Sequence, residues 1–186
     1  LATGVTGVGG LTKAGDGILK LEGANSYTGG TTVAAGTLDL TGSMIGSLSI
    51  LAGATFTTTG GWALASGAFF SNAGTFQSLG GGPLVNQGML INNGTMTTDL
   101  VNSGRLSGIG TINGTVTNNG IVAPGNSIGT LSVVGSYTQA AGSTYQVETN
   151  GAGQADLINV SGAPGTATIN GGIVTLTAAT GVYAPS

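Results

Sequence analysis

Six carboxylates, Asp16, Glu22, Asp39, Asp99, Glu148 and Asp156, are the side chains here best suited to acid–base chemistry, and Lys13, Lys20 and Arg105 are the only cations. A glycosidase or lyase would need two of the acids clustered about one bond. With no histidine and no cysteine, a Ser-His-Asp triad, a cysteine nucleophile and ordinary zinc sites are excluded. Asp16 stands in Ala-Gly-Asp-Gly, a turn credible as a calcium site only inside a nonapeptide repeat, which is absent. Gly125-Asn126-Ser127-Ile128-Gly129 is followed by no helix pattern and reads as a turn, not a phosphate loop. Asn93, Asn113 and Asn159 each begin an Asn-x-Ser/Thr match, which a chain rich in Asn and Thr yields by chance. So few cations make nucleic acid and anionic membranes poor partners. These residues predict no catalytic group, no cofactor, no metal and no small-molecule substrate.

The elements that must carry these groups show in a spacing. Residues 84–99, 100–115 and 116–131 repeat nearly the same line at a period of sixteen. Asn86, Asn102 and Asn118 align, as do Gly88, Gly104 and Gly120. Apolar residues fill three columns: Leu84/Leu100/Val116, Leu90/Leu106/Val122 and Met96/Ile112/Ile128. The columns are six residues apart, so all share one strand parity and face one interior. An Asn-x-Gly corner then turns the chain, with glycine supplying left-handed backbone angles, and stacked Asn side chains can hydrogen-bond from coil to coil. In this register Asp99 falls between Pro83 and Thr115, and Arg105 between Met89 and Ile121. Neither meets a charge, so both read as solvated surface.

Short internal periods mark solenoids. Helix stripes are absent. Strands with alternating faces recur between Gly and Asn turns, as at Leu19/Leu21 around Lys20, Leu38/Leu40 around Asp39, 129–133, 144–148 and 173–177. Charged residues are 5%, against about 25% in ordinary domains. With 40% hydrophobic residues and a net charge of −3, the chain is not a disordered one. Its 38 glycines do not fall at every third position, which excludes collagen. No run reaches the ~18 apolar residues of a membrane helix. Coils of about 16–20 residues at a rise of about 4.8 Å predict an all-β parallel β-helix of about 9–12 coils. The chain opens on Leu1 and stops at Ser186 in mid-pattern, which predicts a section of a longer rod. Trp62, Phe69, Phe70 and Phe76 lie before the regular register; they predict buried core or a wider coil, with an exposed aromatic patch for binding a partner as the alternative.

The stretch GDGILKLEGANSYTGGTTVAAGTLDL (15–40) resembles the passenger-associated transport repeat of bacterial autotransporters, matching its strand, its Gly-Ala-Asn-Ser-Tyr-Thr-Gly-Gly-Thr-Thr turn and its Val-x-x-Gly-Thr-Leu return. A weaker echo, Leu131-Ser-Val-Val-Gly135 before Ser136-Tyr137-Thr138, matches Leu19-Lys-Leu-Glu-Gly23 before Ser26-Tyr27-Thr28. The tail from Ile121, with Pro124-Gly125-Asn126-Ser127-Ile128-Gly129-Thr130-Leu131 and Asp156-Leu157-Ile158-Asn159-Val160, is similar to the segment that precedes the membrane barrel in the same family. The resemblance implies a right-handed β-helix, displayed at the cell surface or secreted by a Gram-negative bacterium through periplasm and outer membrane. It implies a stalk over 1–120 and an autochaperone cap over 121–186, with Pro124, Gly125, Asn126, Ser127, Ile128, Gly129, Tyr137, Tyr145, Asp156, Leu157 and Val160 in its folding segment. Its implied partners are the protein's own outer-membrane barrel, and host surfaces or like passengers on neighbouring cells. Adhesin or self-associating factor is the first functional expectation. A polysaccharide-active β-helix, or a stalk bearing an enzymatic head upstream, is the alternative.

Overall fold

The structure, a computed structural model, describes residues 4–178, which form short strands and no helix. All the ladders between named strands are parallel, and each joins a strand to the one three places on in the chain. Three faces result. The first runs nine strands, from Leu11–Lys13 through Phe69–Asn72 and Arg105–Gly108 to Ile173–Ala178. The second runs eight, from Ile18–Leu21 to Leu157–Ser161. The third runs six, from Trp62–Leu64 to Ala167–Ile169, preceded by a two-stranded piece, Ala24–Asn25 with Ser43–Met44. The chain is a β-solenoid. Its sheets run without a break past residue 120.

The interior follows from strand parity. Leu84, Leu90 and Met96 are fully buried, and so are Leu106, Ile112, Val116 and Val122 in the same columns. Burying one such side chain contributes about 1.5–3 kcal/mol, which offsets the glycine entropy of the corners. The aromatic residues divide by the same parity. Trp62, Phe70 and Phe76 are buried with Phe56, with Phe56 and Phe76 stacked at 5.6 Å, while Phe69 turns outward at 39% exposure. Their coils are wide, Phe70 pairing with Leu48 and Met89 with Phe69. Tyr27 and Tyr137, the tyrosines of the weaker echo, are both buried.

Two expectations need correction. Eight turns of chain separate the first and ninth strands of the longest sheet, fewer than the nine to twelve expected. The last turns are long: Ile121 pairs with Thr144, and Thr144 with Ile173. The third line of the repeat also slips. Ile112 pairs with Val133, not Ile128, because residues 125–129 loop out between the faces. Val133 takes the buried place, and Ile128 is left half-buried.

Candidate functional site

Inside the regular coils the third face carries a column of buried amides. Asn86, Asn102 and Asn118 are fully buried and in register. Asn86 Nδ2 donates to Asn102 Oδ1 at 2.6 Å, and Asn102 Nδ2 to Asn118 Oδ1 at 2.7 Å. The second N–H of each reaches a main-chain carbonyl one coil on, Arg105 O at 3.0 Å and Ile121 O at 2.9 Å. Asn86 Oδ1 also accepts the Gly88 N–H, and Asn118 Oδ1 the Gly120 N–H. A buried polar group is costly unless bonded, and here both ends of each amide are occupied.

The corner glycines do something other than expected. Gly88, Gly104 and Gly120 are not among the residues with left-handed φ. Glycine is required there by crowding. A Cβ on Gly104 would stand 2.1 Å from Gly88 O, and one on Gly120 would stand 2.3 Å from Gly104 O. The main chains of successive corners rest directly on one another.

The amide column ends at Gln139. Asn118 Nδ2 donates to Gln139 Oε1 at 3.2 Å, and the Tyr137 hydroxyl donates to the same oxygen. Gln139 Nε2 turns aside to Ser143 Oγ at 2.6 Å, which donates to Ala140 O. The next residue of the column is Ile169. Burial pushes the Tyr137 hydroxyl up to about 12, a rise opposed by hydrogen bonding in the Asn118 cluster and aided by Tyr145.

Beyond this point the chain is fastened by Asp156, a buried carboxylate. One carboxylate oxygen accepts the Gly129 N–H at 2.9 Å and the other the Glu148 N–H at 2.8 Å. The Tyr145 hydroxyl donates to Asp156 O at 3.1 Å. Asp156 thereby ties three pieces: the loop 125–129, the strand Thr144–Thr149 and the start of Leu157–Ser161. The loop is shaped by Gly125 (φ +87°), whose N–H and carbonyl pair with those of Gly108 after the buried Pro124. Exposed Asn126 donates to Asn93 Oδ1 at 3.1 Å, and Ser127 is exposed beside it. Tyr145 is half-buried against the core, as is Val160, but Leu157 points out at 52% exposure because it pairs with outward Thr130.

The loop overhangs a cleft of about 310 Å³ lined by Arg105, Asn126, Ser127, Gln146, Glu148 and Asp156. Arg105 Nη1 donates to Gln146 Oε1 at 2.5 Å. Three of the nine charged residues of the chain thus line one cleft. The two oxygens of Asp156 already hold main-chain amides, so it is a fastening and not half of an acid–base pair. Asp99 Oδ1 accepts the Thr115 N–H, and Asp39 accepts from Thr57 and faces Lys20 at 3.8 Å on the exterior. No cluster of three or more metal-ligating side chains occurs among the described residues.

Several structural residues escape the sixteen-residue reading. A shorter ladder joins Asn72 Nδ2 to Asn92 Oδ1 at 2.8 Å, twenty residues apart. Aligning Asn72-Ala-Gly-Thr-Phe76 on Asn92-Asn-Gly-Thr-Met96 would have exposed it. Lys13 is buried with its ammonium on the carbonyls of Ala14, Gly15 and Ala35; no sequence pattern signals that. Gln139 and Ser143 lie where the period has lapsed.

Comparison with known proteins adds a family to this geometry. Residues 11–40 match the model of the passenger-associated transport repeat. Along 80 residues the chain is 40% identical to an adhesin, the BmaC autotransporter of Brucella suis biovar 1 (strain 1330). That match covers 34% of this chain and 2% of the relative, so the chain corresponds to a small part of its length. No solved structure matches. The transport repeat over residues 11–40, the similarity to an autotransporter adhesin and the parallel β-solenoid together support reading this chain as part of an autotransporter passenger domain.

Proposed function

We propose that the chain is a structural stalk section of an exported passenger, displayed at the surface of a Gram-negative cell, and that its coils from residue 121 on fold first after crossing the outer membrane. The observation that carries this reading is the Asp156 fastening. It joins residues 129, 148 and 156 in one small region through main-chain amides, closing short loops before long ones. The amide column ends at Gln139, so the first regular coil to arrive would meet a formed template there through Asn118. Cysteine-free sequence suits such a route, since no disulfide can lock the chain before transit. Its partner in export would be the protein's own outer-membrane barrel. The Brucella relative is named an adhesin; for this section the same reading makes it the rod behind an adhesive head.

The test is display of the full-length protein on cells, read by surface antibody and protease resistance of the passenger. Deleting residues 121–186 should abolish the protease-resistant product. Asp156→Ala should reduce it severalfold, while Asp16→Ala, at an exposed turn, should leave it unchanged. Normal display of a resistant passenger after the deletion would sink the reading.

A further inference from the structure

The last described coil lies open. Its strands, Leu157–Ser161, Ala167–Ile169 and Ile173–Ala178, are each paired on one side only among the described residues. Register continues into them from the coil before. Leu131 pairs with Ile158 and Val133 with Val160, Tyr137 with Ala167 and Gln139 with Ile169, Tyr145 with Val174 and Val147 with Leu176. Parity therefore aims six side chains at the axis, and all six are aliphatic. In the interior such positions are sealed: Leu131 and Val133 have no exposure. At the end Ile169, Val174 and Leu176 each keep 67%. Tyr137 and Tyr145 floor a hollow of about 410 Å³ behind them.

We propose that this end face is the docking surface for one further coil of the same polypeptide, running parallel to it and presenting uncharged apolar residues at alternate positions. The proposal rests on reading the chain as a section of a longer passenger. Continuity identifies the occupant. The face offers the columns, strand direction and free main-chain groups through which every earlier coil receives the next. Six aliphatic side chains give a charged or sugar-like ligand nothing to bond. A second copy meeting the face with its own copy of that face would traverse the three sides in the opposite sense, antiparallel to every free edge. A coil entering from Ala178 meets all three edges in turn, and its tether spares it the freedom a separate partner would lose. Uncovered, the face would combine an apolar patch with free strand edges, the combination that leads to aggregation. On this account the folding unit that starts at residue 121 closes only with sequence after Ala178.

The absence of cysteine provides the test. Leu176→Cys and Ile169→Cys put a thiol on the face, and Thr175→Cys puts one on the exposed exterior of the same last strand. Each is made in the full-length displayed protein and in the polypeptide ending at Ser186, then treated with a membrane-impermeant maleimide. In the full-length protein the Leu176→Cys and Ile169→Cys thiols should react at least tenfold more slowly than the Thr175→Cys thiol. In the polypeptide ending at Ser186 all three should react at similar rates. Equal rates in a full-length protein that is normally displayed would overturn the docking proposal and leave the passenger reading intact. Protection in the shorter polypeptide that vanishes on dilution would assign the face to a second copy and also overturn it. Loss of display by the unsubstituted protein would instead count against the passenger reading.

Discussion

Buried amides do in this rod what aliphatic side chains cannot, which is to distinguish one stacking register from another. A column of Leu and Val tolerates a neighbour of similar size, whereas an amide displaced by one position loses both of its bonds. Asn102 shows the full case, bonded to Asn86 on one side and Asn118 on the other. Asn72 shows the incomplete one: its Nδ2 is engaged, but its Oδ1 is buried without a partner, and Ile50 lies beneath it. Asn102→Leu should therefore cost about 2–4 kcal/mol, and Asn72→Leu less, since removing its unsatisfied Oδ1 offsets part of the loss incurred when Asn92 Oδ1 goes unbonded. Urea midpoints would measure both, and equal losses would contradict the ladder account. Asn86, Asn102 and Asn118 were legible in the sequence because one period aligns them. Asn72 and Asn92 were hidden by a different coil length. At Gly88, Gly104 and Gly120 the residue type was legible and its cause was not, because a sequence shows that glycine is needed without showing whether angle or crowding requires it.

Coils are interchangeable where their lengths agree. Residues 100–115 form one sixteen-residue unit whose removal would bring Val116 onto Leu84 and Asn118 onto Asn86, with every face unchanged. The shortened chain should fold, keeping its strand signal per residue in circular dichroism and losing only one coil's worth of stability. Removing 100–107 alone should disrupt the stack, because the face assignments downstream would no longer meet their partners. Identical behaviour of the two deletions would argue against the register described here. The sequence resolved these regular coils well and the later ones poorly. Its turn residues at 125–129 and 150–155 signal a change of direction. They do not say whether the turn closes a coil or inserts into one, and the structure shows insertions, with Thr149 and Ala155 bridged across a small hairpin. Ile128 was misplaced for that reason, and the coil number was set too high.

At the scale of the whole molecule each coil is bonded to the coils beside it, through parallel strand pairs along the axis. No cysteine is present to bind distant coils together. Pulling on the two ends of such a rod therefore loads its coils in series. The outermost can peel away while the rest stay folded. A freed sixteen-residue coil releases about 53–58 Å of extended chain in exchange for about 4.8 Å of rod, a gain near 50 Å per event. Stretching the protein between a tip and a surface should produce steps of about that size for the coils between residues 84 and 121, and longer ones for the wider coils nearer the C-terminal end. One all-at-once rupture would contradict it. A tether made this way meets a sudden load by growing longer, and it can rewind when the load passes.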